Sequence, residues 1–426
     1  KTANDPSKDL YANGLSGEFG SPLMEWLRPF LPDQVEVVLL FENPVPFLEA
    51  MYPDALIVHQ MPGAFSRPPY PHTIQFDPAG LFKRSALYSA MEALDATDQA
   101  LQNVRVFAEQ TRSALISSPF EVSHEHKSFF GRGRRYLLPL QISAHYAFQQ
   151  DTNFENQVSL IAAACELIDP DDSLLITEYS TGPYAEKVCT PDLLRVLRDK
   201  RPHIVFDPNA STINSVSQHI LPNVDGVITA SSSLAAQGLA WDHEIRILGD
   251  THLAHLDSDV IGSDTQRLSA LKYMLGKNQP LASAVTTDGK FLTHLLEEMH
   301  ARRGLPPAER CVDLASIDPD YWSRLNAGFR PDKVDPALQR SKVKQKRVSA
   351  FERILKADNI RLVSFDLFDT LIKRPVENPA DVYALLELRL KDKGFEIPLN
   401  FADARLAAEL DDADEREYFL SIIATN

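Results

Sequence analysis

The segment 224–239, VDGVITASSSLAAQGL, carries the clearest structural signal in this chain of 426 residues. It reads as a short apolar strand, then Ser231, Ser232 and Ser233, then a helix. Serine hydroxyls at such a turn can cap the first backbone N–H groups of the helix, and those groups together with the helix dipole attract an anion. The pattern is typical of α/β enzymes that hold a phosphate, and an ordinary helix cap explains the same residues equally well.

The sequence around this segment alternates between strands and helices. Apolar runs predict strands over 136–142, 173–177, 203–206, 224–230 and 244–248. Helical patterns lie between and beyond them, over 155–168, 191–199, 211–220, 232–240, 265–275 and 289–303. Such alternation predicts a parallel, doubly wound sheet, in which ligands bind at the carboxyl ends of the strands.

The first part of the chain is a looser version of the same pattern. Apolar runs over 35–41 and 55–59 predict two buried strands, and residues 85–116 predict a long helix. We therefore predict an α/β fold in which two Rossmann-like lobes face each other across a cleft. The N-terminal lobe would span residues 1–134, and the C-terminal lobe would span residues 135–330.

The character of the sequence changes after residue 330. Five of the eight residues in 340–347, RSKVKQKR, are basic, which predicts an exposed helical linker over 331–358. An apolar strand over 360–365 then opens a partial third α/β unit, which spans residues 359–426. Because the chain starts at Lys1 rather than Met and ends without a natural stop, we expect it to be a piece of a larger protein.

Composition limits the class of protein and of partner. Hydrophobic residues make up 44% of the chain and charged residues 24%, an ordinary globular balance. The net charge of -16 argues against a general nucleic-acid binder, which needs a basic surface. The three cysteines are widely spaced, and no apolar run has the length of a membrane span, so we expect a reduced, cytoplasmic protein.

Polar side chains follow four of the predicted strands of the second series. They are Gln141, His145, Gln149 and Asp151; Glu178, Ser180, Thr181 and Gly182; Asp207 and Ser211; and Ser231, Ser232, Ser233 and Gln237. Because the carboxyl ends of parallel strands meet at one edge, these residues predict a nucleotide or sugar-phosphate pocket. Hydroxyls would hold phosphate, amides would read a base or sugar, and Glu178, Asp207 or Asp151 would be the catalytic carboxylate. Each residue alone also fits a plain turn or helix cap.

Two segments of this series resemble the bacterial capsule-synthesis glycosyltransferases, a group that includes retaining enzymes transferring Kdo from CMP-Kdo. The segments are 136–143, YLLPLQIS, and 203–249. The resemblance implies two Rossmann-like lobes of the GT-B type, with the donor bound at Ser232 and Ser233 and with Gln237 where the family usually has Glu. In the first lobe the corresponding positions, within the stretch 62–82, are Gly63, Phe65, Arg67, Asp77 and Gly80.

This chain also departs from the family pattern. The segment 177–182, TEYSTG, replaces a Lys-Pro-His-Pro motif, and Leu140 stands where the retaining Kdo enzymes have an Asp nucleophile beside the glutamine. The donor and the mechanism are therefore open. The segment 178–182 also resembles, more faintly, a loop that holds phosphoribosyl pyrophosphate, which makes that compound the less favoured donor.

The resemblance further implies the partners of the protein. An activated sugar donor would bind the C-terminal lobe, and a glycan or lipid-linked glycan acceptor would face His59, Arg67 and His72 of the N-terminal lobe. GT-B enzymes generally stabilise the leaving phosphate with helix dipoles and side chains, so no metal or other cofactor is expected for the transfer. We also expect other polysaccharide-assembly enzymes as partners and peripheral attachment of the protein at the inner membrane.

Residues 362–371, LVSFDLFDTL, resemble the first motif of the haloacid dehalogenase (HAD) superfamily. The resemblance implies that a strand delivers Asp366 as a nucleophile, which forms an aspartyl intermediate. Phe368 stands where phosphatases of the superfamily have a second Asp, and the 56 residues after Thr370 are too few for the later motifs. We expect the unit to be inactive in this chain, with Mg²⁺ a cofactor of the complete domain alone.

The sequence therefore predicts a glycosyltransferase of bacterial capsule or surface-polysaccharide synthesis, joined to the start of a HAD-like unit. Two alternatives belong to other classes. One is a HAD-type phosphatase of the same pathway, whose full-length activity would be lost on Asp366→Asn. The other is a non-catalytic glycan-binding or assembly module, which would bind glycan without binding a donor.

Overall fold

The computed structural model describes residues 6–42, 44–89, 98–117, 119–143, 145–179, 186–213 and 215–330. The chain divides into two compact units, one of residues 1–180 with 185–352 and one of residues 181–184 with 353–426. All the described residues belong to the first unit. The predicted linker, the predicted HAD-like unit and its Asp366 therefore lie outside the described residues.

The described residues form eight strands in two sheets. The strands are β1 (Val37–Phe41), β2 (Leu56–Pro62), β3 (Ile74–Asp77), β4 (Arg135–Pro139), β5 (Ser173–Thr177), β6 (Ile204–Val205), β7 (Gly226–Thr229) and β8 (Glu244–Ile247). The first three build a three-stranded sheet, and the other five build a five-stranded sheet. With helices between these strands, the predicted α/β fold class is confirmed.

Helices connect and cover the two sheets in the same part of the chain. They are α1 (Pro6–Asn13), α2 (Gly20–Leu27), α3 (Pro46–Met51), α4 (Ala86–Ser89), α5 (Asp98–Ile116), α6 (His124–Lys127), α7 (Tyr146–Asp151), α8 (Gln157–Leu167), α9 (Pro191–Lys200), α10 (Val216–Ile220), α11 (Leu234–Ala240), α12 (Asp264–Gly276), α13 (Ala282–Thr287), α14 (Gly289–Ala301), α15 (Leu314–Ile317) and α16 (Tyr321–Ala327). Within the described ranges, none of these helices has the length and apolar character needed to cross a lipid bilayer.

Two predicted helices differ from the observed ones. The helix predicted over 85–116 corresponds to α4 and α5, and residues 90–97 between them lie outside the described residues. The helix predicted over 211–220 begins as a 3₁₀ turn at Ala210–Thr212 and becomes α-helical at Val216. Ser215, directly before α10, has a left-handed backbone with φ 57°, which a continuous helix does not allow.

The five-stranded sheet has the strand order β6-β5-β4-β7-β8, and every neighbouring pair is parallel. The chain builds one half outward from β4 and then crosses back to build the other half from β7. These two strands pair directly, with Tyr136 opposite Gly226. The topological switch point therefore lies between the carboxyl ends of β4 and β7.

The inner strands form because their residues are apolar on both faces, as a parallel sheet covered by helices requires, whereas the edge strand β8 alternates polar and apolar residues. All five residues of β5 and all four residues of β7 are buried. Gly226 permits the close passage of β7 beside β4, since a Cβ there would lie 2.7 Å from the Tyr136 ring. β5 has the predicted bounds, and the other four strands differ from theirs by up to three residues at an end.

The three-stranded sheet combines both strand directions. β1 and β2 are parallel, and β3 runs antiparallel beside β2. The chain returns to this sheet after α12, because the Ile74 N–H donates to the Pro280 carbonyl at 3.0 Å and the Phe76 N–H donates to the Asn278 carbonyl at 2.7 Å. The outer edge of β3 is therefore covered by a segment that follows the five-stranded sheet in sequence.

One hydrophobic core joins the two sheets. It contains Val58 and Phe76 from the three-stranded sheet, Leu137 and Val227 from the five-stranded sheet, and Phe107 from α5. Helix α5 precedes the five-stranded sheet in sequence and packs against α11 and α12. Because protein cores are close-packed, this shared core fixes how the carboxyl ends of the two sheets face each other. The lobe boundary at residue 134 stays a prediction.

Candidate functional site

The switch point of the five-stranded sheet is bridged by two side chains from its two halves. The Gln141 Nε2 group donates to the Ser231 hydroxyl at 2.9 Å, and the Ser231 backbone N–H donates to Gln141 Oε1 at 3.1 Å. Both residues are partly exposed and directly follow β4 or β7. Ligands of doubly wound sheets bind at this location, so the structure brings two predicted donor-site residues together there.

The other two serines of the segment differ in their contacts. The Ser232 hydroxyl accepts a hydrogen bond from the Leu234 N–H at 3.3 Å, and the Ser232 N–H donates to the Thr229 hydroxyl at 3.2 Å. Ser233 is exposed and makes no side-chain cap bond to α11. Ser232 therefore caps the helix, and Ser233 presents its hydroxyl to solvent.

Gln237 links the five-stranded sheet to the loop that follows β2. Its side chain is 7% exposed, and its Nε2 group donates to the Ala64 carbonyl at 3.1 Å. The Gln279 Oε1 atom accepts from the Ala64 N–H at 3.1 Å, so two buried amides hold this one peptide. The Gln237 Oε1 atom is buried without a hydrogen-bond partner among the described residues. Gln237 thus positions the loop after β2, and its predicted donor contact stays a prediction.

Glu178 follows β5 and is bound within its own loop. One carboxylate oxygen accepts hydrogen bonds from the N–H groups of Val188 and Cys189, both at 2.7 Å. The other oxygen accepts from the Ser211 hydroxyl at 3.3 Å. These contacts join the loops after β5 and β6, which is a structural role. The catalytic role predicted for Glu178 is left to experiment.

Asp207 follows β6 and is 1% exposed. Its carboxylate accepts from the Ser123 N–H at 2.8 Å and from the Asn209 N–H at 2.9 Å. Burial acts to raise the pKa of the Asp207 carboxyl, but hydrogen bonds from these two backbone groups and from the Ser123 side chain, with the His126 charge, together hold the pKa below its usual value. A carboxylate held in this way is a stable anion and a weak base.

Asp151 ends α7 and is 6% exposed. Its carboxylate accepts a hydrogen bond from the Tyr11 hydroxyl of α1 at 2.9 Å. Burial raises the pKa of the Asp151 carboxyl, and the Tyr11 hydrogen bond and the Lys83 charge oppose that rise. The structure therefore places Asp151 in the contact between α1 and α7.

Three predicted donor residues, Ser180, Thr181 and Gly182, lie outside the described residues. Just after them, the Glu186 carboxylate accepts from the Ser143 N–H at 2.6 Å and from the Ser143 hydroxyl at 2.7 Å. This pair ties the loop after β5 to the loop after β4. Ser143 ends the segment 136–143 of the family resemblance, but Glu186 belongs to no motif, so the sequence patterns did not predict this pair.

Glu42 is a candidate that sequence reasoning missed. It directly follows β1 and has a left-handed backbone with φ 54°, and its carbonyl accepts from the Tyr146 hydroxyl at 3.0 Å. Glu42 is exposed as a residue, but partial desolvation of its carboxyl raises the pKa, and the nearby Arg67 charge opposes the rise. A strained backbone and a carboxyl with a perturbed pKa are features of functional sites. The sequence signal that could have identified Glu42 was its position directly after the first predicted strand, 35–41.

The loop after β2 reaches the loops of the five-stranded sheet. The Arg67 guanidinium donates to the Ser215 hydroxyl at 3.3 Å, and the Gln218 Nε2 group donates to the Pro68 carbonyl. Together with the Gln237 contact, these bonds hold the loop after β2 against α10, α11 and the residue before α10. Arg67 is thus the predicted acceptor-side residue that a described contact links to the five-stranded sheet.

The other two acceptor-side residues differ in exposure. His59, on β2, is 7% exposed, and its Nε2 atom has no hydrogen-bond partner among the described residues. The Glu49 carboxylate of α3 lies 3.9 Å from that atom. His72 is exposed, and its carbonyl accepts from the Ala282 N–H at 2.8 Å.

Three further first-lobe positions of the family resemblance, Gly63, Asp77 and Gly80, fit closely into the surrounding structure. Asp77 is fully buried and accepts hydrogen bonds from the Ala79 N–H at 2.9 Å, the Gly80 N–H at 3.2 Å and the Ala86 N–H at 3.0 Å. A Cβ at Gly63 would collide with the Thr73 side chain. These residues shape the two loops that flank β3.

An aromatic contact forms a second connection between the loops of the two sheets. Phe82 has a left-handed backbone with φ 53°, and its ring packs edge-on against His145 at 5.5 Å and His252 at 5.2 Å between ring centroids. Lys83 pairs with Asp250 at 2.7 Å beside it. Burial lowers the pKa of His252 to about 3, so this histidine is neutral at physiological pH.

No group of three or more His, Cys, Asp or Glu side chains in the described ranges is arranged to hold a metal ion. The chain's cysteines, Cys165, Cys189 and Cys311, are all buried and free.

No protein-family model matches this chain, and no curated protein matches it. Among solved structures, it is similar to KpsC, a β-Kdo 2,7 transferase of Thermosulfurimonas dismutans, with a TM-score of 0.40, 15% sequence identity, and coverage of 63% of this chain and 84% of that chain. It is also similar to KpsC, a β-Kdo 2,4 transferase of the same organism, with a TM-score of 0.37, 14% identity, and coverage of 59% and 82%. At these TM-scores neither similarity defines an activity, and the fold class rests on the strand order of this chain.

Proposed function

We propose that this protein is a glycosyltransferase of bacterial capsule or surface-polysaccharide synthesis, which moves a sugar from an activated donor to a growing glycan. The proposal rests on the contacts between segments that follow strands of the three-stranded sheet and segments of the five-stranded sheet. Gln141 and Ser231 mark the switch point of the five-stranded sheet, and Arg67 and Ala64, after β2, contact neighbouring loops of that sheet. A crevice between two α/β sheets is where such folds bind their ligands.

The donor would lie at the switch point with its phosphate toward the serines. Ser231 and Ser233 offer hydroxyl groups there, Gln141 offers an amide, and Arg67 offers a guanidinium from the other side of the crevice. Hydroxyls and a guanidinium are suitable partners for phosphate oxygens. A nucleotide-activated sugar such as CMP-Kdo is the favoured donor class, and phosphoribosyl pyrophosphate is the less favoured one.

Glu42 is our candidate for the general base. A carboxyl group whose pKa is raised toward neutrality accepts a proton more effectively in the reaction. In the proposed step, the acceptor hydroxyl gives its proton to Glu42, and its oxygen bonds to the anomeric carbon of the donor. The bond from that carbon to the donor phosphate oxygen breaks, and Arg67 stabilises the charge on the departing phosphate.

The same activity suggests the setting in which the protein works. A growing glycan or a lipid-linked glycan would be the acceptor, and a lipid-linked acceptor would bring the protein to the cytoplasmic face of the inner membrane. Other polysaccharide-assembly enzymes would be its partners there. No cofactor is needed in this scheme, because side chains of the chain itself act on the proton and on the phosphate.

Donor binding is the first test of the proposal. The full chain is melted with CMP, CMP-Kdo, UDP-sugars, GDP-sugars or phosphoribosyl pyrophosphate, since a ligand of the folded state raises the melting temperature. At about 100 times its Kd, a donor adds about 2.7 kcal/mol to the free energy of unfolding. We expect one donor class to act and Ser231→Ala/Ser233→Ala to lose the shift, whereas the exposed Ser283→Ala retains it. A cooperative melt without a shift for any donor would contradict the proposal and favour the binding module.

The role of Glu42 is tested once a donor is known. Loss of a general base typically lowers the rate by about 10² to 10⁴, so Glu42→Gln should lower kcat in that range while the donor shift remains. Glu36→Gln changes an exposed carboxylate just before β1 and is the matched control, with kcat expected at the wild-type value. A Glu42→Gln variant with wild-type kcat would remove Glu42 from the mechanism.

A further inference from the structure

A small cavity of about 30 Å³ lies between α1, α3, β2 and α7. Its polar lining includes His59, Glu49 and Arg84, and its apolar lining includes Pro44 and Tyr146. We propose that this cavity is the acceptor subsite of the transferase and that it takes one hydroxyl or hydroxymethyl arm of a neutral sugar. The assignment of the cavity to the acceptor rests on the proposed function. The binding of a sugar in the cavity is tested separately.

His59 is the reason for expecting a polar group in the cavity. Its side chain is more than nine-tenths buried, it lines the cavity, and its Nε2 atom has no hydrogen-bond partner among the described residues. A buried polar atom without a partner costs about 1 to 3 kcal/mol. Because buried polar groups in native proteins are nearly always satisfied, a bound group that bonds to this nitrogen removes the cost.

Glu49 decides which class of group fits. Its carboxylate oxygen lies 3.9 Å from the His59 Nε2 atom, too far for a direct hydrogen bond and close enough for one oxygen to contact both. A hydroxyl can accept from one partner and donate to the other. A carboxylate or phosphate beside His59 would face the Glu49 charge. The Arg84 guanidinium of the lining already donates to the Tyr11 carbonyl, so the neutral hydroxyl is favoured over an anion.

The size of the cavity limits how much of a sugar enters it. A single water needs at least about 10 to 15 Å³ of such space, so the 30 Å³ cavity has room for one hydroxymethyl arm and excludes a sugar ring. Pro44 and Pro46 supply apolar surface for the CH₂ group. The ring attached to that arm would therefore lie at the cavity mouth.

The cavity also adjoins the proposed general base. Tyr146 lines it, and the Tyr146 hydroxyl donates to the Glu42 carbonyl at 3.0 Å. Pro44, another lining residue, follows Glu42 by two positions. An acceptor sugar anchored by one arm in the cavity would thus present its remaining hydroxyls to Glu42.

Sugar binding is measured on the full chain without donor. Histidine is enriched with ¹³C at Cε1, and the His59 signal is assigned by its loss in His59→Gln. The probes are methyl β-glucoside, methyl β-galactoside, methyl N-acetyl-β-glucosaminide and glycerol, with sodium sulfate as the anion. We expect a saturable shift of the His59 signal at millimolar concentrations of at least one glycoside, with no shift from sulfate. The signal of exposed His72 should stay in place.

Two variants separate a bound arm from an indirect effect. Ala79 lines the cavity, so Ala79→Leu should fill it and abolish the His59 response, with the donor-dependent melting shift unchanged. Glu49→Gln keeps the shape and removes the charge, and should weaken the glycoside at least about threefold, which is roughly the 0.6 kcal/mol of a weakened hydrogen bond.

The outcomes distinguish this inference from the proposed function. No His59 shift with any glycoside, a shift with sulfate alone, or a glycoside shift that survives in a folded Ala79→Leu variant would overturn the cavity as a sugar subsite. A glycoside response without any donor response would overturn the transferase instead and leave a sugar-binding pocket.

Discussion

The carboxyl ends of the two sheets carry acidic side chains with contrasting surroundings. At the five-stranded sheet, Glu178 and Asp207 each accept hydrogen bonds from two backbone N–H groups. At the three-stranded sheet, Glu42 is exposed, its carboxylate accepts no hydrogen bond from the described residues, and partial desolvation raises its pKa. A backbone-bound carboxylate already serves the fold, so a position at a strand end does not by itself mark a catalytic acid or base.

The largest expected effect is a loss of folding stability when a carboxylate at the five-stranded sheet is removed. Asp207→Ala removes the acceptor of the N–H groups of Ser123, which is half-buried, and Asn209, which is exposed. A hydrogen bond to a charged group contributes about 1.5 to 3 kcal/mol, so the loss of both should lower the free energy of unfolding by about 3 kcal/mol. Urea unfolding followed by circular dichroism measures the change.

The control for this experiment is Asp199→Ala, which removes an exposed carboxylate at the end of α9. Its free energy of unfolding should stay within about 0.5 kcal/mol of the wild-type value. If Asp207→Ala were equally harmless and instead abolished turnover, Asp207 would return as a catalytic residue and the contrast between the sheets would fail.

An intermediate effect concerns His252, a buried histidine that follows β8. His252 packs among aromatic rings, and its pKa lies near 3 in the folded protein, against 6.5 for the free side chain. Below pH 6.5 the His252 side chain therefore binds a proton in the unfolded chain, whereas in the folded chain it stays neutral until the pH approaches 3. This contribution to stability is complete above pH 6.5 and is lost as the pH falls toward 3, by about 2 kcal/mol between pH 7 and pH 5.

The matched variant is His252→Gln, which cannot titrate in this range. Its loss of stability between pH 7 and pH 5 should be smaller than that of the wild type by about 2 kcal/mol, as measured by denaturant unfolding at both pH values. His72→Gln, at an exposed position, should keep the wild-type dependence. Identical pH slopes for all three proteins would show that His252 is protonated in the fold at little cost.

The smallest effect is expected for the ion pair between the loops of the two sheets. Lys83 and Asp250 lie 2.7 Å apart, with side chains 36% and 87% exposed. Exposed pairs contribute about 0 to 1 kcal/mol because water and salt screen them. A double-mutant cycle with Lys83→Met and Asp250→Asn should give a coupling energy below about 1 kcal/mol, and a larger value would make this pair a principal connection between the loops.

The sequence by itself determined the α/β class and the doubly wound sheet. Strand β5 has its predicted bounds, and β7 ends one residue before its predicted end, because a run of apolar residues reports burial on both faces of a parallel sheet. The same runs placed Gln141 and Ser231 at the carboxyl edge of one sheet. Their hydrogen bond depends on the pairing of β4 with β7, which the sequence did not predict.

The tertiary structure alone decided the direction of β3, the return of the segment 278–281 to the first sheet, and the partners of each carboxylate. Glu178 meets Val188 within its own loop, whereas Asp207 meets Ser123 from a segment 84 residues away in sequence. Glu42 became a candidate because burial and Arg67 act on it across two loops. Local patterns report which faces are buried, but a carboxylate becomes structural or reactive through donors and charges that distant segments bring to it.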